Sequence, residues 1–335
     1  MPHYALYGLT LASNQAIAGL VPIPAQPADL EIDLAGPRLT HPPSHLNQPQ
    51  YTSSSHNEQG QPALRVWSND QQMEFWFCYG DHTTFWLQRS PAKITAHWPP
   101  ELTLEDTVTY LIGPVLAFWL RWQGVLCLHG SAVQMGEGAI AFVGPAGAGK
   151  STTAALFAQA GHGILTDDVV VIHHPSGGKA EIIPGYPRLR LWQNSVQLLY
   201  GNPQALPRIV PTHPTWDKQY LDLTQAPYQF QSQALPLLRV YCLGDRTPDR
   251  PTLKPLNPTA ALLHLTTQTS VHYLLTKTLR QQEFIALSQL IQQTSCATLS
   301  LAHDCPNMMD LITLIQKDLT ANCEAIGDSE SIAPI

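Results

Sequence analysis

Residues Cys127 to Ile172 read CLHGSAVQMGEGAIAFVGPAGAGKSTTAALFAQAGHGILTDDVVVI, and the choice of fold turns on them. Within this stretch, Gly144-Pro145-Ala146-Gly147-Ala148-Gly149-Lys150-Ser151 fits G-x-x-x-x-G-K-[ST] at every fixed position. Glycines at 144, 147 and 149 let the backbone curl until its N–H groups hold phosphate oxygens, and Ala146, Ala148 and Thr152 belong to the same cradle. Lys150 reaches the β- and γ-phosphates, and the Ser151 hydroxyl is placed to bind Mg²⁺. The context fits as well. Ala139-Ile140-Ala141-Phe142-Val143 is a short apolar strand entering the loop, and Ser151 to Ala160 is an Ala-rich helix leaving it. Gly161-His162-Gly163 stops that helix, whose N-terminal dipole lies under the phosphates. The stretch predicts an α/β fold with a nucleotide phosphate site, ATP and Mg²⁺ being the ligands it suits.

The flanks of the loop set the chemistry. His129 ends the apolar run Val125 to Leu128, while Asp167 and Asp168 close a strand-like Ile164-Leu165 ahead of Val169 to Ile172. Three strands ending at one sheet edge would gather His129, Lys150, Asp167 and Asp168, and open α/β sheets bind ligands at such edges. Paired carboxylates beside a lysine and a metal suit phosphoryl transfer. One orients or deprotonates a hydroxyl, and the other binds Mg²⁺ directly or through water. The competing readings are a solvated turn for the aspartates and a satisfied core histidine for His129.

The order Leu128-His129-Gly130-Ser131-Ala132-Val133, then the glycine-rich loop, then Thr166-Asp167-Asp168 resembles the catalytic domain of HPr kinase/phosphorylase. The nearer likeness is to the HPr-kinase-related proteins of lasso-peptide and similar peptide-tailoring systems. Pro187-Arg188-Leu189-Arg190-Leu191-Trp192 and Tyr7-Gly8-Leu9-Thr10-Leu11 add to it. The resemblance is strong from about 124 to 192 and diffuse over the remainder. It implies a P-loop, PEP-carboxykinase-like nucleotide domain that is a serine kinase using ATP and Mg²⁺. Lys150 and Ser151 are then the Walker residues, Asp167 the general base toward a seryl hydroxyl, His129 its hydrogen-bonding neighbour and Asp168 an assistant at the metal. The implied acceptor is a peptide or protein, a ribosomally made precursor peptide first among them. HPr kinases assemble as hexamers, so a homo-oligomer is also implied. One departure stands out: HPr kinases carry an acidic, metal-associated residue downstream of the aspartate pair, and the corresponding Arg188 to Trp192 has no carboxylate. Metal binding then rests on Ser151, an aspartate and water. Two alternatives stay open, a kinase of an HPr-like carrier protein or small hydroxylated molecule, and a nucleotide-gated peptide-binding regulator.

Composition narrows the partners. The chain has 335 residues, 44% of them hydrophobic, which suffices to bury a large core. Its net charge of −7 and lack of a basic stripe argue against a nucleic-acid partner. The six cysteines show no C-x-x-C and no metal spacing, so a reducing cytoplasm is expected. The N-terminus lacks the basic and apolar regions of a secretion signal. Thr107 to Leu120 is apolar and uncharged, yet it is interrupted by Gly113-Pro114 and falls short of the roughly 20 residues a bilayer requires. It reads as a buried helix in two halves.

The remaining chain divides around the nucleotide domain. Residues 1–103 predict a β-rich module, with Tyr4 to Leu11 as one strand and aromatic strands carrying Trp67, Trp76 and Trp86. The Pro-, Ser- and Gln-rich segment 37–62 inside it predicts a mobile loop, its histidines 41, 45 and 56 being too irregular for a metal site. Residues 104–323 are assigned to the catalytic domain, with a helical C-terminal part, and 324–335 to a frayed tail. If Ile182 to Trp192 is a strand, Arg188 and Arg190 share one face and can bind the nucleotide or stabilise the transferring phosphoryl group. An ordinary exposed pair is the competing reading. The resemblance makes Lys218 a candidate phosphate or substrate contact, where composition alone reads a surface lysine. Toward the end, Phe284, Leu287, Leu290 and Ile291, then Met309, Ile312 and Ile315, repeat at helical spacing, with Pro306 starting the last helix.

Overall fold

The computed structural model describes residues 1–330 apart from 39, 47, 58, 70, 176–177, 248–249 and 303–307, and excludes the side chains of 308 and 323–330. The chain divides into two units. One comprises Met1–Gln123 with Arg208–Asp217 and Tyr273–Leu275, the other Gly124–Pro207 with Lys218–His272 and Thr276–Ile335.

The first unit contains strands β1 (His3–Leu6), β2 (Leu9–Ser13), β3 (Pro22–Ile23), β4 (Leu30–Pro37), β5 (Tyr51–Thr52), β6 (Leu64–Ser68), β7 (Glu74–Tyr79), β8 (Thr84–Arg89) and β9 (Ala92–Trp98). They form one sheet in the order β3-β1-β2-β4-β9-β8-β7-β6-β5, parallel only at β2–β4 and β4–β9. Helices α1 (Leu104–Tyr110) and α2 (Leu116–Trp122) follow, joined by a π-helical turn, Leu111–Val115, that holds Gly113 and Pro114. Thr103 and Asp106 close a capping box at the start of α1.

Three expectations are corrected in this unit. Tyr4 to Leu11 is a hairpin rather than one strand, because Tyr7 and Gly8 both take positive φ (57° and 82°) and turn the chain between β1 and β2. Segment 37–62 is not a structureless loop. It carries β5, and its Leu46, only 4% exposed, packs on Trp67 and Trp76, while Nε2 of His45 lies 2.7 Å from a Glu74 oxygen. Residues of this segment thus have an apolar contact and an edge pairing that its average composition does not suggest. Residues 104–122 group with this unit instead of the second, since Phe118 and Trp122 pack edge-on against Phe75 of β7, with centroids 4.8 and 5.0 Å away.

The second unit contains β10 (Leu126–Met135), β11 (Gly138–Val143), α3 (Lys150–Gln159), β12 (Ile164–His173), β13 (Glu181–Ile183), β14 (Arg188–Leu191) and α4 (Gln193–Tyr200). It continues through β15 (Gln219–Asp222), β16 (Leu235–Leu243), β17 (Thr252–Leu256), α5 (Pro258–Thr266), α6 (Lys277–Gln293), β18 (Cys296–Ser300) and α7 (Met308–Glu330). The main sheet runs β11-β10-β12-β13-β16-β18-β17, with β11 also pairing in parallel with β16. β14 and β15 form a separate two-stranded ribbon.

Alternation along β11 divides the core. Ile140 and Phe142 join a cluster with α3 and α7, and Ala139, Ala141 and Val143 join one with α5 and α6. This unit is therefore mixed α/β, with helices on both faces of its sheet. In α6, Leu287 and Leu290 are fully buried, whereas Phe284 is 56% exposed at the rim of the stripe. In α7 the buried face is Leu311, Ile312 and Ile315, and Met309 projects to solvent at 60% exposure, two residues off that stripe. Pro306 and Cys305 lie outside the described residues, as do residues 331–335 of the expected tail, and α7 continues past Glu324 to Glu330. No helix among the described residues is long and apolar enough to cross a membrane.

Candidate active site

The glycine-rich loop joins a strand to a helix, as its sequence predicts. β11 ends at Val143, the chain turns through Gly144 to Gly149, and α3 starts at Lys150. Gly149 caps the helix with φ of 101°, in the left-handed region that excludes most side chains. Pro145, Ala146 and Gly147 are exposed, Ala148, Ser151 and Thr152 half-buried. Lys150 is buried, its Nζ donating to the carbonyls of Gly144 at 2.8 Å and Pro145 at 2.9 Å. Burial pushes its ammonium below the ordinary lysine value, against the pull of Asp167 and Asp168. The Thr152 hydroxyl lies 2.8 Å from that of Ser195 on α4.

Asp167 and Asp168 do not close a strand at a sheet edge. Both lie inside the single long strand β12, and His129 lies inside β10, which is antiparallel to β11 and β12. An irregularity in the pairing brings them to the loop. Val133 pairs with Ile164 but Ala132 with Thr166, so β12 carries one extra residue, Leu165, against β10. The bulge advances the register and sets Asp167 opposite Ser131, on the β10 face shared with Val133 and Met135, which pack toward α3. Without it, Thr166 would stand opposite Ser131.

Asp167 is 1% exposed and fully engaged. Its Oδ1 accepts from Ser131 Oγ at 2.6 Å and Ser151 Oγ at 2.8 Å, and its Oδ2 from the Arg190 backbone N–H at 2.8 Å. Asp168 has a positive φ of 75°, which its short polar side chain tolerates better than most. A regular strand would send neighbouring side chains to opposite faces. Here the second carboxylate also approaches Arg190, whose Nη1 lies 3.6 Å from Asp168 Oδ2. Gly130 pairs with Asp168, and a Cβ there would meet the Phe142 carbonyl at 2.5 Å, so this position admits no side chain.

His129 completes the cluster, its Nδ1 lying 3.1 Å from the Asp168 carbonyl and 3.5 Å from Asp168 Oδ1. Burial raises the Asp168 pKa, but Arg190, His129, Lys218 and Lys150 outweigh it and hold the carboxyl below its ordinary value. Arg190 is buried and its Nε donates to the Tyr186 hydroxyl, whose pKa burial lifts to about 12. Lys218 lies beside the Trp192 ring, 5.3 Å from its centroid, and burial lowers its pKa too. Arg188 instead stacks on Tyr220 of β15, with 3.8 Å from guanidinium carbon to ring centroid.

The predicted His129, Lys150, Ser151, Asp167, Asp168 and Arg190 thus converge, and Lys218 joins them. Sequence reasoning missed Ser131. Its signal was the LHGSAV run itself, in which a hydroxyl at the position two after His129 shares that histidine's strand face. Among the described residues no three His, Cys, Asp or Glu side chains form a metal cluster. The donor set fits Mg²⁺ nonetheless. Ser151 Oγ and Asp167 Oδ1 already adjoin, and Mg²⁺ takes few protein ligands, filling its shell with water and substrate phosphates.

No protein-family profile matches the chain. No curated protein matches it either. Among solved structures, the HPr(Ser) kinase/phosphatase from Coxiella burnetii matches over 57% of this chain and 95% of its own, at 11% identity and a TM-score of 0.31. A likeness that slight adds nothing to the geometry.

Proposed function

We propose that the chain is an ATP-dependent phosphotransferase carrying the γ-phosphoryl group to a hydroxyl, with a seryl hydroxyl of a peptide or protein as acceptor. The observation carrying this reading is Asp168, a second carboxylate beside the Ser151–Asp167 pair, held between His129 and Arg190. Binding a nucleotide needs no such group. Transferring its phosphoryl does, because an attacking hydroxyl must be oriented and must lose a proton. The choice of a peptide or protein acceptor rests on the family resemblance of the sequence.

Geometry favours exchanging the roles that the resemblance implied for the two aspartates. Asp167 is buried and accepts three hydrogen bonds, one from Ser151, so it belongs beside the metal. Ser151 and Asp167 would hold Mg²⁺, which when bound would supply charge neutralisation at the phosphates. Asp168, a quarter exposed, faces the acceptor. Lys150 and the loop N–H groups hold the phosphates in line. The acceptor oxygen forms its bond to Pγ as the Pγ–O bond to ADP breaks, and the hydroxyl proton passes to the Asp168 carboxylate. A carboxylate below its ordinary pKa is a weak base, and a loose transition state asks chiefly for orientation.

The test is intact-mass analysis of a candidate precursor peptide encoded beside this gene, incubated with the protein and Mg-ATP. One added phosphoryl group with wild type, and none with Lys150→Ala or Asp168→Asn, is the expected result. ADP release with a small hydroxylated acceptor but not the peptide would move the acceptor class. Nucleotide binding with no transfer to any hydroxyl would overturn the kinase reading in favour of a nucleotide-gated regulator.

A further inference from the structure

We infer that Arg246 binds the phosphate chain of the nucleotide from outside the P-loop, an inference that rests on the nucleotide reading above. β11 and β16 are parallel neighbours, with Val143 opposite Cys242, so both chains leave the sheet at the same edge. One passes into the P-loop at Gly144, and the other into Gly244-Asp245-Arg246. The two exits touch closely enough that a Cβ on Gly144 would lie 3.2 Å from the Cβ of Leu243.

The second exit delivers a cation to the mouth of α3. Nη2 of Arg246 would lie 3.4 Å from a Cβ at Gly149, the residue capping that helix. Nη1 is anchored, donating to the Ala302 carbonyl at 3.0 Å. The side chain is exposed, and no carboxylate pairs with it among the described residues. One nitrogen is thus fixed by the protein, while the other, at the helix N-terminus, has no hydrogen-bond partner among the described residues. A guanidinium so placed suits a phosphate oxygen, with its geometric match and permanent charge. Lys150 meets the phosphates from within the loop, and Arg246 meets them from the neighbouring strand.

Calorimetric titration with MgADP and with magnesium tripolyphosphate, on wild type, Arg246→Ala and Arg246→Lys, tests the inference. Arg246→Ala should weaken both ligands about tenfold or more, Lys should recover part of the loss, and the loss should shrink as salt rises. A shallower salt dependence of affinity is a readout that a merely structural role would not move. The inference falls if Arg246→Ala binds both ligands as wild type does. It also falls if only MgADP weakens, since the contact would then be to the nucleoside. Failure of wild type to bind either ligand would remove the nucleotide reading itself, a result distinct from both.

Discussion

Ser151 Oγ donates to Asp167 Oδ1 at 2.8 Å, tying the P-loop to the strand that carries the aspartate pair. Asp168, the next residue, makes no such contact among the described residues and turns instead to Arg190 and His129. Two adjacent carboxylates therefore occupy two different environments, one buried against hydroxyls and one partly open among cations.

That division predicts opposite phenotypes for two otherwise similar variants. Asp167→Asn should abolish most of the gain that Mg²⁺ brings to ADP affinity, because an amide is a poor Mg²⁺ ligand. Asp168→Asn should leave MgADP affinity nearly intact while lowering turnover by about 10²–10⁴-fold, the range for a positioned proton acceptor. Paired titrations with and without Mg²⁺, alongside single-turnover rates, measure both. Loss of turnover in Asp167→Asn with Mg²⁺ dependence preserved would return the base to Asp167.

Ser131 holds Asp167 from the other side, and its hydroxyl is completely buried. Ser131→Ala removes a short donor from a buried carboxylate that no water replaces readily. Hydrogen bonds to charged groups are worth about 1.5–3 kcal/mol, so a destabilisation of that order is expected in the second unit. Denaturant unfolding followed through that unit checks it. A change below about 0.5 kcal/mol would mean that Ser151 and the Arg190 N–H alone suffice for Asp167.

Much of this site was legible in the sequence because the glycine-rich loop constrains its own backbone. Lys150 and Ser151 follow from the motif, and β11 and α3 follow from the apolar run before it and the alanines after it. The path of Asp167 and Asp168 was not legible. It depends on a single extra residue, Leu165, opposite β10, and no local pattern marks a bulge whose partner strand lies more than thirty positions away. Arg246 was hidden for a similar reason, since its place beside Gly149 depends on β16 pairing with β11, a contact between distant segments. In the first unit, Tyr7-Gly8 lacked the Asn-Gly or Asp-Gly signature of a tight hairpin, so two strands read as one. Leu46 was overlooked because composition averages over a segment, whereas a single apolar side chain seated on Trp67 and Trp76 anchors it.

Gly149 separates backbone strain from space. Among the described residues, a Cβ there would meet the Arg246 guanidinium at 3.4 Å and Leu301 Cδ1 at 3.7 Å, so they leave room for it. Its φ of 101° is the obstacle, lying beyond even the left-handed helical region that other residues visit. Gly149→Ala should therefore cost about 1–3 kcal/mol of strain or shift the loop, and MgADP affinity should fall with it. Calorimetry beside thermal unfolding measures the two effects. An alanine variant that binds MgADP like wild type would show that the loop adopts a different backbone when occupied.

The lowered pKa values of Lys150 and Lys218 give the site an alkaline signature with two opposite signs. Each lysine loses its proton in the folded chain below the ordinary value of 10.5. Between the folded value and 10.5 the unfolded chain binds more protons, so these groups make stability rise with pH. Phosphate binding needs the charged forms, and MgADP affinity should fall across the same window. Lys150→Arg keeps its charge there, so the fall should be shallower in that variant, with Lys218 supplying the remainder. Titrations of MgADP from about pH 7 to about pH 10, with thermal midpoints of the ligand-free protein at each step, report both trends. Affinity and ligand-free stability declining together would mean that the alkaline loss comes from unfolding, and the lysines would not be its cause.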